Sequence, residues 1–278
     1  MEHDMPHLQS TVEEADLHIP AHVLDCVRAG YRTCVVISND TDVITALLYF
    51  VPVFLQEGLE ELWVRAGRGT TVRFIPLHIL FTRLEPDLCS VLPAIHSLTG
   101  CDITSKIGTK KGALKGEPTV YLKGFGATTT LTSPMVQRAE QYLVRVVDVR
   151  SNLSNFQELR KEQFHFSKSS SHQNLPPTSQ GLEPHIYRAF YNAYTTMHAL
   201  DSQTNKQTED LDPLNYGFTL ESGNLVPSST WKTLEVYWSV VCHCGRCARV
   251  TCPCQADMVK CSVFCTCMKK DNCKNPYA

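Results

Sequence analysis

The chain has 278 residues, of which 43% are hydrophobic and 19% charged; this suffices for one good core and a small satellite and excludes wholesale disorder. A net charge of −2 and a pI near 6.6 give no global basic field, so any nucleic acid must be met by local patches. Residues 1–19 contain no Lys or Arg and no apolar segment, and the longest apolar run, Val43 to Leu55, is broken by Thr45 and Pro52, so the expectation is a soluble intracellular protein with no membrane partner.

In chain order, Glu13-Glu14-Ala15-Asp16 opens a segment to about Ala29 whose Leu17, Val23, Leu24 and Val27 line one helical face. Val35-Val36-Ile37 then reads as a buried parallel strand ending in Asn39-Asp40-Thr41-Asp42, at the sheet edge where open α/β folds place ligands. Two acids in such a turn reach one hard cation, Mg²⁺ or Mn²⁺, and equally serve as ordinary helix caps. The strands Leu62–Arg65 and Val72–Ile75, joined through Gly67-Arg68-Gly69, read as an edge hairpin. Helices are expected over Pro76–Leu84, Pro86–Leu98 and Ser133–Val149, and Phe156 to Phe166 continues the last.

Ser167 to Gly181 is a polar, proline-containing linker, and Glu183 to Leu200 returns to helix, with Ile186, Phe190, Ala193, Tyr194 and Met197 giving one apolar side to pack on the first domain. Asp201 to Ser229 is irregular and turn-rich. The domain expectation is therefore 1–166, a linker 167–181, a helix and connector 182–240, and a module 241–278. Histidines, including His96 and His185, lack ligand spacing.

The acidic helix start, the strand ending D-x-D, the His96–Asp102 segment ending Gly100-Cys101-Asp102, and Lys106 to Gly112 occur in that order. Together they resemble the PIN and flap-endonuclease superfamily, and still more a group of mobile-element-derived animal proteins sharing E-E-A-D, D-T-D-V and A-L-T-G-C-D. The resemblance implies a cation site from Glu14, Asp16, Asp40, Asp42 and Asp102, and a DNA-backbone grip from Lys106, Gly108, Lys110 and Lys111. That superfamily supplies a further catalytic Asp from strands before the paired-acid helix, which are not evident here. The fold class expected is thus α/β, a PIN-like parallel-sheet domain lacking evident first strands, followed by a small zinc-cysteine module.

Nine of thirteen cysteines crowd into the end of the chain: Cys242, Cys244, Cys247, Cys252, Cys254, Cys261, Cys265, Cys267 and Cys273. C-x-C pairs bridge adjacent soft cations far more readily than they form disulfides, and thiolate-only sites select zinc. Nine sulfurs complete three tetrahedral sites if three of them bridge. The spacing resembles the tesmin and TSO1-like CXC domain, which implies about three zinc ions and DNA binding through Arg246, Arg249, Lys260, Lys269, Lys270 and Lys274, and with it a nuclear location. With three Zn²⁺ bound the module carries a charge of only about +1, so binding should be modest and salt-sensitive. The functional expectation is a nucleic-acid-binding protein, of the DNA class, with a nuclease-like domain of reduced or absent activity; the alternative is an active Mg- or Mn-dependent DNA or RNA nuclease.

Overall fold

Pro20 stands in the first turn of α1 (Ile19–Arg28), where its missing N–H costs nothing, and the helix buries Val23, Leu24 and Val27 beside Leu17 of the preceding 3-10 turn. Gly30, at φ 98°, releases the chain into β1 (Thr33–Ile37). The apolar run that follows is α2 (Thr41–Gln56), which crosses over to β2 (Glu61–Ala66), parallel to β1 with Val35 opposite Trp63. Gly67 turns β2 into β3 (Arg73–Pro76), its antiparallel partner. A Cβ on Gly67 would lie 2.2 Å from the Thr71 carbonyl oxygen, so only glycine fits that corner. The sheet is small and mixed, in the order β1-β2-β3.

The computed structural model describes residues 14–166, 176–201, 211–228, 242–247, 252–256, 260–261, 265–269 and 273–277. The chain divides into two compact units, residues 1–228 and 229–278.

β1 differs from expectation. Among the described residues it is an edge strand, and it is not buried on both faces: Cys34 and Val36 turn inward, while Val35 is 52% and Ile37 72% exposed. A β-branched run signals extended chain but does not say how many neighbours the strand has. The inward face joins α1, α2 and α3 (Leu77–Leu84) in one core built on Leu24, Leu47, Phe54, Leu62 and Leu77.

The expected helix over Pro86–Leu98 is two, α4 (Pro86–Ser90) and α5 (Leu92–Thr99), interrupted at Val91. Short α6 (Lys110–Lys115) and α7 (Pro118–Tyr121) lead to α8 (Ser133–Val147) and α9 (Phe156–Phe166). Then α10 (Ser179–Met197) begins inside the stretch expected as linker, capped by Thr178 Oγ1, which accepts from the Gly181 N–H at 3.1 Å. It packs chiefly on α5 and also on α8. Its Leu182, Ile186, Phe190 and Met197 join Leu98, Leu143 and Phe156 in a second core. The apolar side expected of this helix is therefore a wall of the first unit, and the expected connector 182–240 contributes to that unit as far as Ser228. The stretch expected to be irregular contains a hairpin, β4 (Phe218–Glu221) with β5 (Asn224–Pro227), turning on Ser222 at φ 52° and Gly223 at φ 82°.

In the second unit the core is sulfur. Cys242, Cys247, Cys252, Cys254, Cys261, Cys265 and Cys267 are buried against one another, with Cys244 and Cys273 at the margin and the single turns α11 (Pro253–Ala256) and α12 (Thr266–Lys269) between them. The fold is thus mixed α/β with a small mixed sheet and a separate cysteine cluster.

Candidate metal centres

The second unit assembles its sulfurs around a triangle. Cys242 Sγ lies 3.1 Å from Cys247 Sγ and 3.8 Å from Cys261 Sγ, and Cys261 Sγ lies 3.6 Å from Cys247 Sγ. Three sets of four cysteines have all their sulfurs within 4.8 Å of one another: Cys242, Cys244, Cys247 and Cys252; Cys242, Cys254, Cys261 and Cys265; and Cys242, Cys247, Cys261 and Cys267. Cys273 lies partly buried at the margin of the same cluster. Burial raises the thiols of Cys242, Cys247 and Cys254, so a soft cation that replaces their protons relieves the crowding. The Asn275 amide donates to Cys261 Sγ at 3.2 Å, a contact that orients a ligand from outside the cluster. These donors fit a thiophilic metal such as zinc.

In the first unit the acids draw together at the carboxyl edge of β1. The Glu14 carboxyl is raised by burial first and then by the negative charge of Asp42, Asp102 and Asp16. Asp16 is raised by burial and by Asp40, Asp42 and Asp102. Glu14 and Asp16 therefore each sit within the fields of Asp42 and Asp102, and Asp16 also within that of Asp40. Their positions follow from local chemistry. Asp40 caps α2, accepting from the Asp42 N–H at 2.9 Å; Glu14 precedes the 3-10 turn before α1 and Asp16 lies within it; and Asp102, exposed, lies in the turn closed by the Cys101–Thr104 bridge. Glu14, Asp16 and Asp42 line a narrow cleft with His96, Asn192 and Thr196. Among the described residues these carboxylates are not in the tight sets that the cysteines form.

His96 was not among the expected site residues. Its Nε2–H donates to Asp42 Oδ1 at 2.6 Å, across 54 positions of sequence, and that hydrogen bond is the main reason the Asp42 carboxyl is held below its usual range. His185, by contrast, is a satisfied core histidine, its Nε2 2.9 Å from the Leu98 oxygen. α10 also braces the acid-bearing turn: Asn192 Nδ2 donates to Ser97 Oγ at 2.9 Å, and Arg188 Nε to the Ile103 oxygen at 3.1 Å. Thr104 Oγ1 donates to the Ser97 oxygen at 2.6 Å. Nothing in local spacing points to α10 as a neighbour of these acids.

Lys106 and Lys111 are exposed, and Lys110 lies in the first turn of α6. Gly108 and Gly112 serve packing: a Cβ on Gly108 would meet Val146 Cγ1 at 2.5 Å, and one on Gly112 the Val146 oxygen at 2.1 Å. In the second unit Arg246, Lys260 and Lys274 are exposed, whereas Arg249, Lys270 and the side chain of Lys269 lie outside the described residues.

Among known proteins, no family model, no curated protein and no solved structure matches this chain. What fold and site define is a class: a mixed α/β unit with an acid cleft at its sheet edge, joined in sequence to a cysteine cluster built to hold metal.

Proposed function

We propose that this is a nucleic-acid-binding protein, of the DNA class and nuclear, whose C-terminal module is a three-zinc thiolate knot. In this reading the α/β unit is a PIN-like nuclease fold of reduced or absent turnover. The observation that carries it is the sharing of sulfurs. Taking Cys242, Cys247 and Cys261 as bridges, each pair of them closes one tetrahedron with two terminal sulfurs: Cys244 and Cys252, Cys254 and Cys265, or Cys267 and Cys273. The first two sets coincide with groups that already lie within bonding reach of one centre; the third draws on Cys267, which lies within the same reach of Cys247 and Cys261, and on Cys273 at the margin of the cluster. Zinc supplies the cross-links that a unit of this size lacks in apolar core, and fixes the basic side chains in one geometry. Arg246, Arg249, Lys260, Lys269, Lys270 and Lys274 are then the side chains that meet phosphates.

In the first unit, Glu14, Asp16, Asp42 and Asp102, with Asp40, would hold Mg²⁺ or Mn²⁺, which supplies an activated water and charge neutralisation when bound. Against efficient chemistry stands His96, which occupies one oxygen of Asp42. The second reading, an active nuclease, is favoured by the raised carboxyls of Glu14 and Asp16, since crowded acids are the arrangement a divalent cation relieves.

Zinc analysis of purified protein, with DNA binding measured before and after chelation, tests the main reading; the expected result is about three zinc per chain and binding lost with the metal. One zinc per chain, or tight binding indifferent to chelator, overturns it. Incubation of DNA and RNA with Mn²⁺ decides between the two readings of the acid cleft. Weak or absent cleavage is expected, and robust turnover abolished by Asp40→Ala and Asp102→Ala establishes the nuclease instead.

A further inference from the structure

The sheet of the first unit leaves one face open. By register, Ile37, Arg65 and Phe74 stand in one row across its three strands, and Val35, Trp63 and Pro76 in the next, roughly 6.8 Å away. Ile37 is 72%, Phe74 56% and Val35 52% exposed, and Tyr31, just before β1, is 64% exposed. Arg65 lies half-exposed between Ile37 and Phe74, and Arg68 and Arg73 are exposed where the β2–β3 hairpin turns. Among the described residues no carboxylate lies within 4.0 Å of any of these three guanidiniums.

An apolar sheet face this open is an interaction surface, and its charge says which kind. A protein covering Ile37 and Phe74 would also desolvate Arg65, which has no carboxylate of its own to receive it. A nucleic-acid strand supplies what both features lack: bases stack on exposed rings, and phosphates take guanidiniums in bidentate pairs. The face is also continuous with the acid cleft. The Gly67 N–H donates to Asn39 Oδ1 at 2.6 Å, tying the hairpin to the loop that carries Asp40, so a strand lying over Ile37 and Arg65 is led towards the carboxylates.

We infer that this sheet face is a binding platform for single-stranded nucleic acid, with Phe74 and Tyr31 stacking bases and Arg65, Arg68 and Arg73 meeting the backbone. The inference rests on the nucleic-acid reading above and adds to it a second surface, in a different unit and for a different form of the polymer. Base stacking and phosphate pairing are common to both polymers, so DNA and RNA strands should bind alike.

The test uses the zinc-loaded full chain and fluorescein-labelled oligothymidine and oligouridine of about twelve nucleotides, within the usual range of single-strand sites. Bromouracil-substituted versions of each give photocrosslinks mapped by mass spectrometry. Crosslinks at Phe74 or Tyr31 are expected. Phe74→Ala with Arg65→Ser should weaken both oligomers about tenfold and flatten the salt dependence by about one phosphate contact, while double-stranded DNA binding and zinc content stay unchanged. Phe74 is exposed and Arg65 half-exposed, and an unaltered thermal melt shows that the variant folds. If the oligomers bind but crosslink only within residues 241–278 and the variant binds as tightly, the platform is wrong and the nucleic-acid reading stands. If no nucleic acid of either form binds at low salt, that reading itself fails. If the wild type self-associates through this face, and Phe74→Ala restores a monomer with no change in oligomer binding, the surface is a protein contact and the inference is overturned.

Discussion

His185 is buried on α10 with Nε2 set 2.9 Å from the Leu98 oxygen, and burial, helped by the nearby charge of Arg188, pushes its pKa below the ordinary 6.5. The folded state therefore holds the neutral ring. Its contribution to stability is complete above the unfolded value and is lost as pH falls from there towards the lower folded pKa. Thermal melts between pH 7.5 and 5 should show the wild type losing stability more steeply than His185→Asn; parallel curves would count against a neutral buried ring. His96 carries no more spacing signal than His185, yet it grips Asp42 from α5. At this scale the sequence exposes residue types and local order, which is why Asp40 and Asp42 were legible as a cap-or-ligand turn. Partners such as His96 and Asn192 were not, because tertiary packing brought them in.

Elements were legible wherever periodicity and punctuation agreed. α1, the parallel crossover through α2 and the β2–β3 hairpin stand close to where apolar spacing and the Gly67-Arg68-Gly69 turn put them. The misses have physical reasons. Val91 splits a helix that its apolar pattern would continue, and β1 is one-sided because α1, α2 and α3 pack with Cys34 and Val36 while Val35 and Ile37, on its other face, stay exposed. The β4–β5 hairpin is short, and its Ser-Gly turn was the available signal. Two substitutions test the packing that positions the first unit. A methyl group on Gly112 would stand 2.1 Å from the Val146 oxygen, so Gly112→Ala should force α6 away from α8 and cost about 1–3 kcal/mol in urea unfolding. Thr178→Ala removes the cap of α10 and should cost about 1 kcal/mol; because α10 is a wall of the core and not a tethered appendage, that loss should appear in the main unfolding transition. A separate early transition of α10 would contradict its place in the core.

At the scale of the whole molecule the two units are held by different chemistry: aliphatic and aromatic burial in residues 1–228 and sulfur in residues 229–278. Cysteine spacing announced the second, but the close triangle of Cys242, Cys247 and Cys261, on which the proposed sharing of sulfurs rests, is a product of folding that spacing does not give. The division predicts that chelation and heat act on separate parts. A strong chelator should abolish the amide dispersion of the second unit while leaving the melting of the first unchanged, since none of its cysteines belongs to a metal-competent set among the described residues. The sharing predicts a hierarchy among cysteine substitutions. A bridging sulfur serves two ions, so Cys242→Ser or Cys261→Ser should remove at least two zinc ions and the folded signature of the module. A terminal sulfur serves one, and Cys273→Ser, at the partly exposed margin, should leave a module that still holds about two. Native mass spectrometry of the zinc-loaded chain reads both outcomes directly. Equal losses from Cys242→Ser and Cys273→Ser would mean that the three sulfurs of the triangle are not the bridges.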